Sequence, residues 1–167
     1  MNPLANQPPN LSAGQSVTGP PVQFIGNQMW VKLAAAQVDG TFSVMENAIA
    51  AHNGPPLHIH AFEEFFYILQ GTFLFELGGA PLNAGPGDFV HIPGNVPHVL
   101  QNITDSEGRV LLIARPGGVE NYFAELGAQA VRDPRDVAAM HAIGERYGIK
   151  IVGPPIAARG KPPVGQQ

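Results

Sequence analysis

Between Phe24 and Arg115 the apolar residues come in short bursts divided by turn-forming residues. "MWVKLAAA" (29–36) is followed by "VDGT" (38–41), "FSVMENAIA" (42–50), "HNGPP" (52–56) and "LHIHAFEEFFYILQG" (57–71). This rhythm predicts short strands in an all-β sandwich or barrel. Asp39-Gly40 reads as a hairpin turn, because glycine supplies the positive φ such turns need. Gly71, Gly78-Gly79 and Pro86-Gly87 punctuate the later strands in the same way. "EFFYIL" (64–69) and "VLLIA" (110–114) are apolar at both parities. One face of each therefore packs inward, and a second sheet or a second subunit covers the other.

After Arg115 the period changes. "ENYFAELGAQA" (120–130) and "DPRDVAAMHAIGERYG" (133–148) read as helices that cover one opening of the β structure. In the second, Asp133 reads as the N-cap, Pro134 lies in the first turn, Asp136 sits near the positive end and Gly148 is the stop. Residues 1–21, rich in Pro, Asn, Gly, Ser and Gln, read as a flexible arm because they offer little apolar surface to offset ordering entropy. The expected organisation is thus an arm (1–21), a β domain (22–115), a helical segment (116–153) and a Pro/Gly-rich flexible tail (154–167). No internal repeat is visible.

Composition narrows the function. At 167 residues one domain and one site are expected. The net charge is −4, and the nine Lys and Arg are scattered without a basic run, which argues against nucleic acid and anionic membrane as partners. The absence of cysteine removes disulfides, thiolate metal sites and a cysteine nucleophile. The first residues carry no Lys or Arg and no continuous apolar stretch, so a soluble cytoplasmic protein is the expectation.

Candidate chemistry concentrates in two places. On a strand His58 and His60 point to the same side, about 7 Å apart along the chain, so both rings can grip one ion. Glu64 opens the next apolar strand and shares a face with Phe66 and Ile68, while Phe65, Tyr67 and Leu69 take the other. In "GDFVHIPGNVPHVLQN" (87–102) His98 follows a Pro-rich turn and becomes the natural fourth ligand. Glu63 has the opposite parity and reads as a solvated carboxylate. His91 reads as a hydrogen-bonded structural histidine, and His52 and His141 as surface or boundary residues.

These segments resemble the paired motifs of the cupin superfamily. His58, His60, Glu64 and Gly71 fit the first motif; Gly87, Pro93, His98 and Asn102 fit the second. Gly54 lies closer to the histidines than the first motif has it. Asn95, preceded by Gly94, replaces an expected glycine, and asparagine is the residue that best tolerates the left-handed turn conformation. The resemblance implies a jelly-roll β-barrel whose interior holds one divalent transition metal ion on His58, His60, Glu64 and His98. Fe, Mn, Ni, Co, Cu and Zn all suit three imidazoles and a carboxylate.

The finer form of both motifs, with "YFAELG" (122–127) and "GERYGIKIVGPP" (144–155), is similar to single-domain cupins of the quercetin 2,3-dioxygenase type. That implies a flavonol or related enol and O2 as substrates, Glu64 as general base, and ring cleavage with expulsion of carbon monoxide. Met45, Phe66, Phe75, Leu100, Tyr122 and Phe123 are the residues expected to shape the pocket. The alternatives are a cupin isomerase or cyclase that acts without O2, and a non-catalytic small-molecule-binding cupin. The two-faced strands predict a homodimer that covers Phe65, Tyr67 and Leu69.

Overall fold

The structure is a computed structural model that describes residues 10–159; the first nine residues of the predicted arm and the tail from residue 160 lie outside the described residues. Among the described residues, eleven strands form two antiparallel sheets. The larger contains β1 (Val22–Phe24), β2 (Asn27–Leu33), β3 (Ser43–Ile49), β10 (Gly108–Arg115), β5 (Glu63–Gln70) and β8 (Phe89–Ile92), in that spatial order. The smaller runs β11 (Lys150–Gly153), β4 (Leu57–Ile59), β9 (His98–Asn102), β6 (Phe73–Leu77) and β7 (Ala80–Ala84). The all-β expectation holds as two sheets with two helices after them. No strand pairing closes the sheets into a barrel among the described residues.

The period-2 pattern accounts for the core. On β5, Glu64, Phe66 and Ile68 are buried, whereas Tyr67 and Leu69 are exposed. Register places Phe66 beside Leu112, Leu112 beside Met45, and Phe75 beside Leu100. These inward side chains form one apolar cluster with residues from both sheets. Burial of such area is the main driving force for the fold. Asn102, fully buried at the end of β9, ties the sheet margin to three carbonyls: its Nδ2 donates to Ile49, Ala50 and Ser106. Its Oδ1 accepts from Thr104 N and Oγ1, so every polar atom of the side chain is satisfied.

Four local readings need correction. "AAA" (34–36) does not extend β2; Ala35–Gln37 form a 3-10 turn, because Gln37 Oε1 accepts from Ala34 N and the buried Glu120 carboxylate accepts from Ala35 N. Asp39 and Gly40 do adopt positive φ, within a wider connection between β2 and β3. The second helix, α2 (Val137–Arg146), starts later than Asp133: Asp136 is its N-cap, its carboxylate accepting from Ala139 N at 2.9 Å. Asp133 instead closes α1 (Val119–Arg132), donating its backbone N–H to Gln129 O. Gly148 takes positive φ just after α2, as a helix stop requires. Strand β11 lies within the segment expected to be helical. Asp136→Ala should cost about 1 kcal/mol, and Asp133→Ala less, a ranking that urea denaturation of the two variants measures.

Candidate metal centre and cavity

The two sheets each supply part of one polar cluster. His58 on β4 pairs directly across from His98 on β9, and His60 follows one residue after β4, so three imidazoles come from the smaller sheet. Glu64 comes from the facing sheet, held on β5 between Ala114 of β10 and Ile92 of β8. One ligand atom from each of the four residues lies within 4.8 Å of every other. His60, Glu64 and His98 are buried and His58 is partly so.

Backbone carbonyls orient every ring. His58 Nδ1 meets Pro56 O at 2.9 Å, His60 Nδ1 meets Phe62 O at 2.9 Å and His98 Nδ1 meets Val96 O at 2.8 Å. A carbonyl only accepts, so each Nδ1 carries the proton and each Nε2 presents a lone pair inward. Phe62 stacks on His60 at a centroid distance of 3.6 Å and fixes that ring further. Glu64 Oε2 lies 3.2 Å from His98 Nε2 and 3.3 Å from His60 Nε2. The His60 contact falls outside hydrogen-bond geometry, so His60 Nε2 is a buried nitrogen with no hydrogen-bond partner.

The electrostatics follow from burial and proximity. Burial, reinforced by the neighbouring His98, lowers the His58 pKa to about 4, which keeps that ring neutral. Burial opposes ionisation of Glu64, yet the adjacent imidazoles of His60 and His98, which favour the carboxylate whenever an Nε2 carries a proton, outweigh it and hold the carboxyl well below its usual range. Three inward lone pairs and a carboxylate form a donor set that a divalent transition ion satisfies and that water satisfies poorly in so closed a space. The residues fit the ion that the sequence motif implies.

The cluster opens into a cavity of about 630 Å³, within the size range of small-molecule pockets. Of the six expected pocket residues, Phe66, Leu100, Tyr122 and Phe123 line it. Met45 and Phe75 do not; they are fully buried in the core beneath it. Phe24 and Phe123, with ring centroids 5.1 Å apart, and Tyr122, 5.1 Å from Phe123, form an aromatic wall contributed largely by α1. Burial, then the charge of Glu64, pushes the Tyr122 hydroxyl up to about 12, so it remains a proton donor.

Among the lining residues that escaped the sequence reading are Phe62, His141 and Asn47. Phe62 followed the histidines without a pattern, His141 reads as an ordinary helix residue, and Asn47 occupies an inward position of β3. For Asn47 the available signal was its parity with Met45 and Ile49. The secondary histidines lie elsewhere: His91 is on the outer face, stacked on Phe65 and 3.2 Å from Glu63, which also pairs with Arg115. His52 pairs with Asp105 at the surface. No helix is long and apolar enough to cross a membrane among the described residues.

Residues 47–114, which carry His58, His60, Glu64 and His98, match the family model of the cupin domain. The chain is similar to quercetin 2,3-dioxygenase of Bacillus subtilis (strain 168), 29% identical over 99 residues, covering 58% of this chain and 29% of that protein. It is also similar to the uncharacterized protein MJ1618 of Methanocaldococcus jannaschii, 31% identical over 75 residues, covering 44% of this chain and 60% of that protein. The chain therefore spans under a third of the first relative's length and three fifths of the second's. Among solved structures, an RmlC-like cupin from Shewanella frigidimarina superposes with a TM-score of 0.56 at 13% identity, covering 69% of this chain and 96% of that one, which supports the fold.

Proposed function

We propose that the chain is a metal-dependent dioxygenase that cleaves a flavonol-like or related enol substrate with O2. The observation that carries this reading is the donor set at the inner end of an aromatic-walled cavity, where an ion and a flat apolar molecule can meet. The likeness to a quercetin 2,3-dioxygenase supports the choice of substrate class. His58, His60, Glu64 and His98 would hold the ion, which supplies Lewis-acid and redox chemistry.

The chain's own residues do the rest. The Glu64 carboxylate, ionised and facing the cavity, is the general base that accepts the proton of the substrate's enol hydroxyl. Phe66, Leu100 and Phe123 bind the ring faces and exclude water. The Tyr122 hydroxyl stays protonated and can donate to an oxygen of the substrate. The exposed apolar side chains Tyr67, Leu69 and Phe89 on the outer sheet face support the homodimer reading.

Oxygen uptake by metal-loaded protein given quercetin tests the proposal, each of the six metals being compared with the metal-free chain. The expected result is metal-dependent uptake with release of carbon monoxide. Substrate consumption without O2 uptake would move the reading to an isomerase or cyclase. Binding without turnover, with one metal equivalent bound, would leave a binding protein.

A further inference from the structure

We propose that Asn47 is the group that recognises the substrate's distal polar substituent, a phenolic hydroxyl on the part of the ligand remote from the metal cluster. The inference rests on the reading of this cavity as the substrate pocket. Asn47 is 6% exposed and lines the cavity, yet its Oδ1 is buried without a hydrogen-bond partner. Buried amide oxygens in folded proteins are paired as a rule, so an unpaired one on a residue of the cavity wall calls for a donor that enters the cavity.

Nearby polar groups are occupied. Asn27 Oδ1 accepts from Ala50 N and from Asn53 Nδ2, and Asn53 Nδ2 also donates to Ile25 O. The cavity wall close to Asn47 in the larger sheet is apolar, formed by Ile49 on β3 and Leu112 on β10. A hydroxyl carried on an aromatic ring brings its own apolar support.

Register gives the spacing. Ser43 on β3 and Glu64 on β5 both pair with Ala114, so they are two strands apart on the same sheet. Asn47 is four residues farther along β3, roughly 13 Å at the rise of a strand. A ligand that reaches from the Glu64 carboxylate to the Asn47 amide is therefore elongated, with several rings and a polar group at each end. Such a molecule is a polyhydroxylated aromatic; a single-ring enol is too short to touch both.

Calorimetric titration of the full chain tests this with two probe pairs: kaempferol against 3-hydroxyflavone, which lacks the ring hydroxyls, and 4-hydroxybiphenyl against biphenyl. Wild-type protein should bind the hydroxylated member of at least one pair roughly tenfold more tightly. Asn47→Leu should abolish that preference while keeping affinity for the unhydroxylated member, and its melting temperature should equal or exceed the wild-type value, because an unpaired amide is replaced by a side chain of similar size. Asn47→Ala should show the same loss of preference if leucine perturbs folding. Loss of preference in the biphenyl pair with no flavonol binding would sink the flavonol reading and keep the role of Asn47. An equal preference in wild type and both variants, or no preference in the wild type, overturns the inference.

Discussion

His60→Ala is expected to lower affinity for a divalent transition ion by well over a hundredfold. Removing a partner that merely orients a metal-binding histidine costs ten- to a hundredfold, and here the ligand itself goes. His60 is the informative choice because its Nε2, the atom that would meet the ion, is buried and makes no hydrogen bond within the protein, although the substitution also removes the Nδ1 contact with Phe62 O and the stack on Phe62. The companion control is His91→Ala, which removes a histidine of the outer sheet face and should leave metal affinity unchanged. Thermal melting with and without added metal gives a second readout. At a metal concentration a hundred times the dissociation constant, wild type should gain about 2.7 kcal/mol, a gain absent from His60→Ala. Equal affinity in His60→Ala and wild type would mean that the ion binds elsewhere.

Gly94→Ala should damage stability and site together. A Cβ at Gly94 would lie 2.1 Å from Ala61 O and 2.9 Å from Ala61 C, both backbone atoms that cannot rotate away. The close approach matters because the next residue, Asn95 at φ +62°, donates its N–H to His60 O at 2.7 Å. That contact locks the turn before His98 to the segment carrying His60. Pushing them apart should cost roughly 3 kcal/mol or more, a fall of about 6 to 12 °C in melting temperature for a chain of this size, together with weakened metal binding. Gly85→Ala is the control: its Cβ would meet only Asp88 Oδ2, at 4.0 Å, and the loss should be under about 1 kcal/mol.

The metal cluster was legible because strand periodicity is short and strict. His58 and His60 share a face by counting, and Glu64 separates from Glu63 by parity; the structure buries the first glutamate and leaves the second paired with Arg115 at the surface. Parity says less about pockets. Met45, Phe66, Phe75 and Leu100 all face inward, but only tertiary packing decides that Phe66 and Leu100 border empty space while Met45 and Phe75 are enclosed. The helix start shows another limit. Asp133-Pro134 and Asp136 both satisfy the local rules for an N-cap, and the choice falls to Asp136 because Asp133 closes α1. Strand β11 is four residues long and exists through its pairing with β4, a contact distant in sequence that carries no local signature.

The most direct measurement of the central claim is X-ray absorption spectroscopy on the chain reconstituted with a single metal, after its stoichiometry has been fixed by elemental analysis. The account predicts one ion per chain, coordinated by three imidazole nitrogens and carboxylate oxygen, with the imidazole scattering reduced in His60→Ala. A bound ion surrounded only by oxygen, or imidazole scattering unchanged by that substitution, would contradict it.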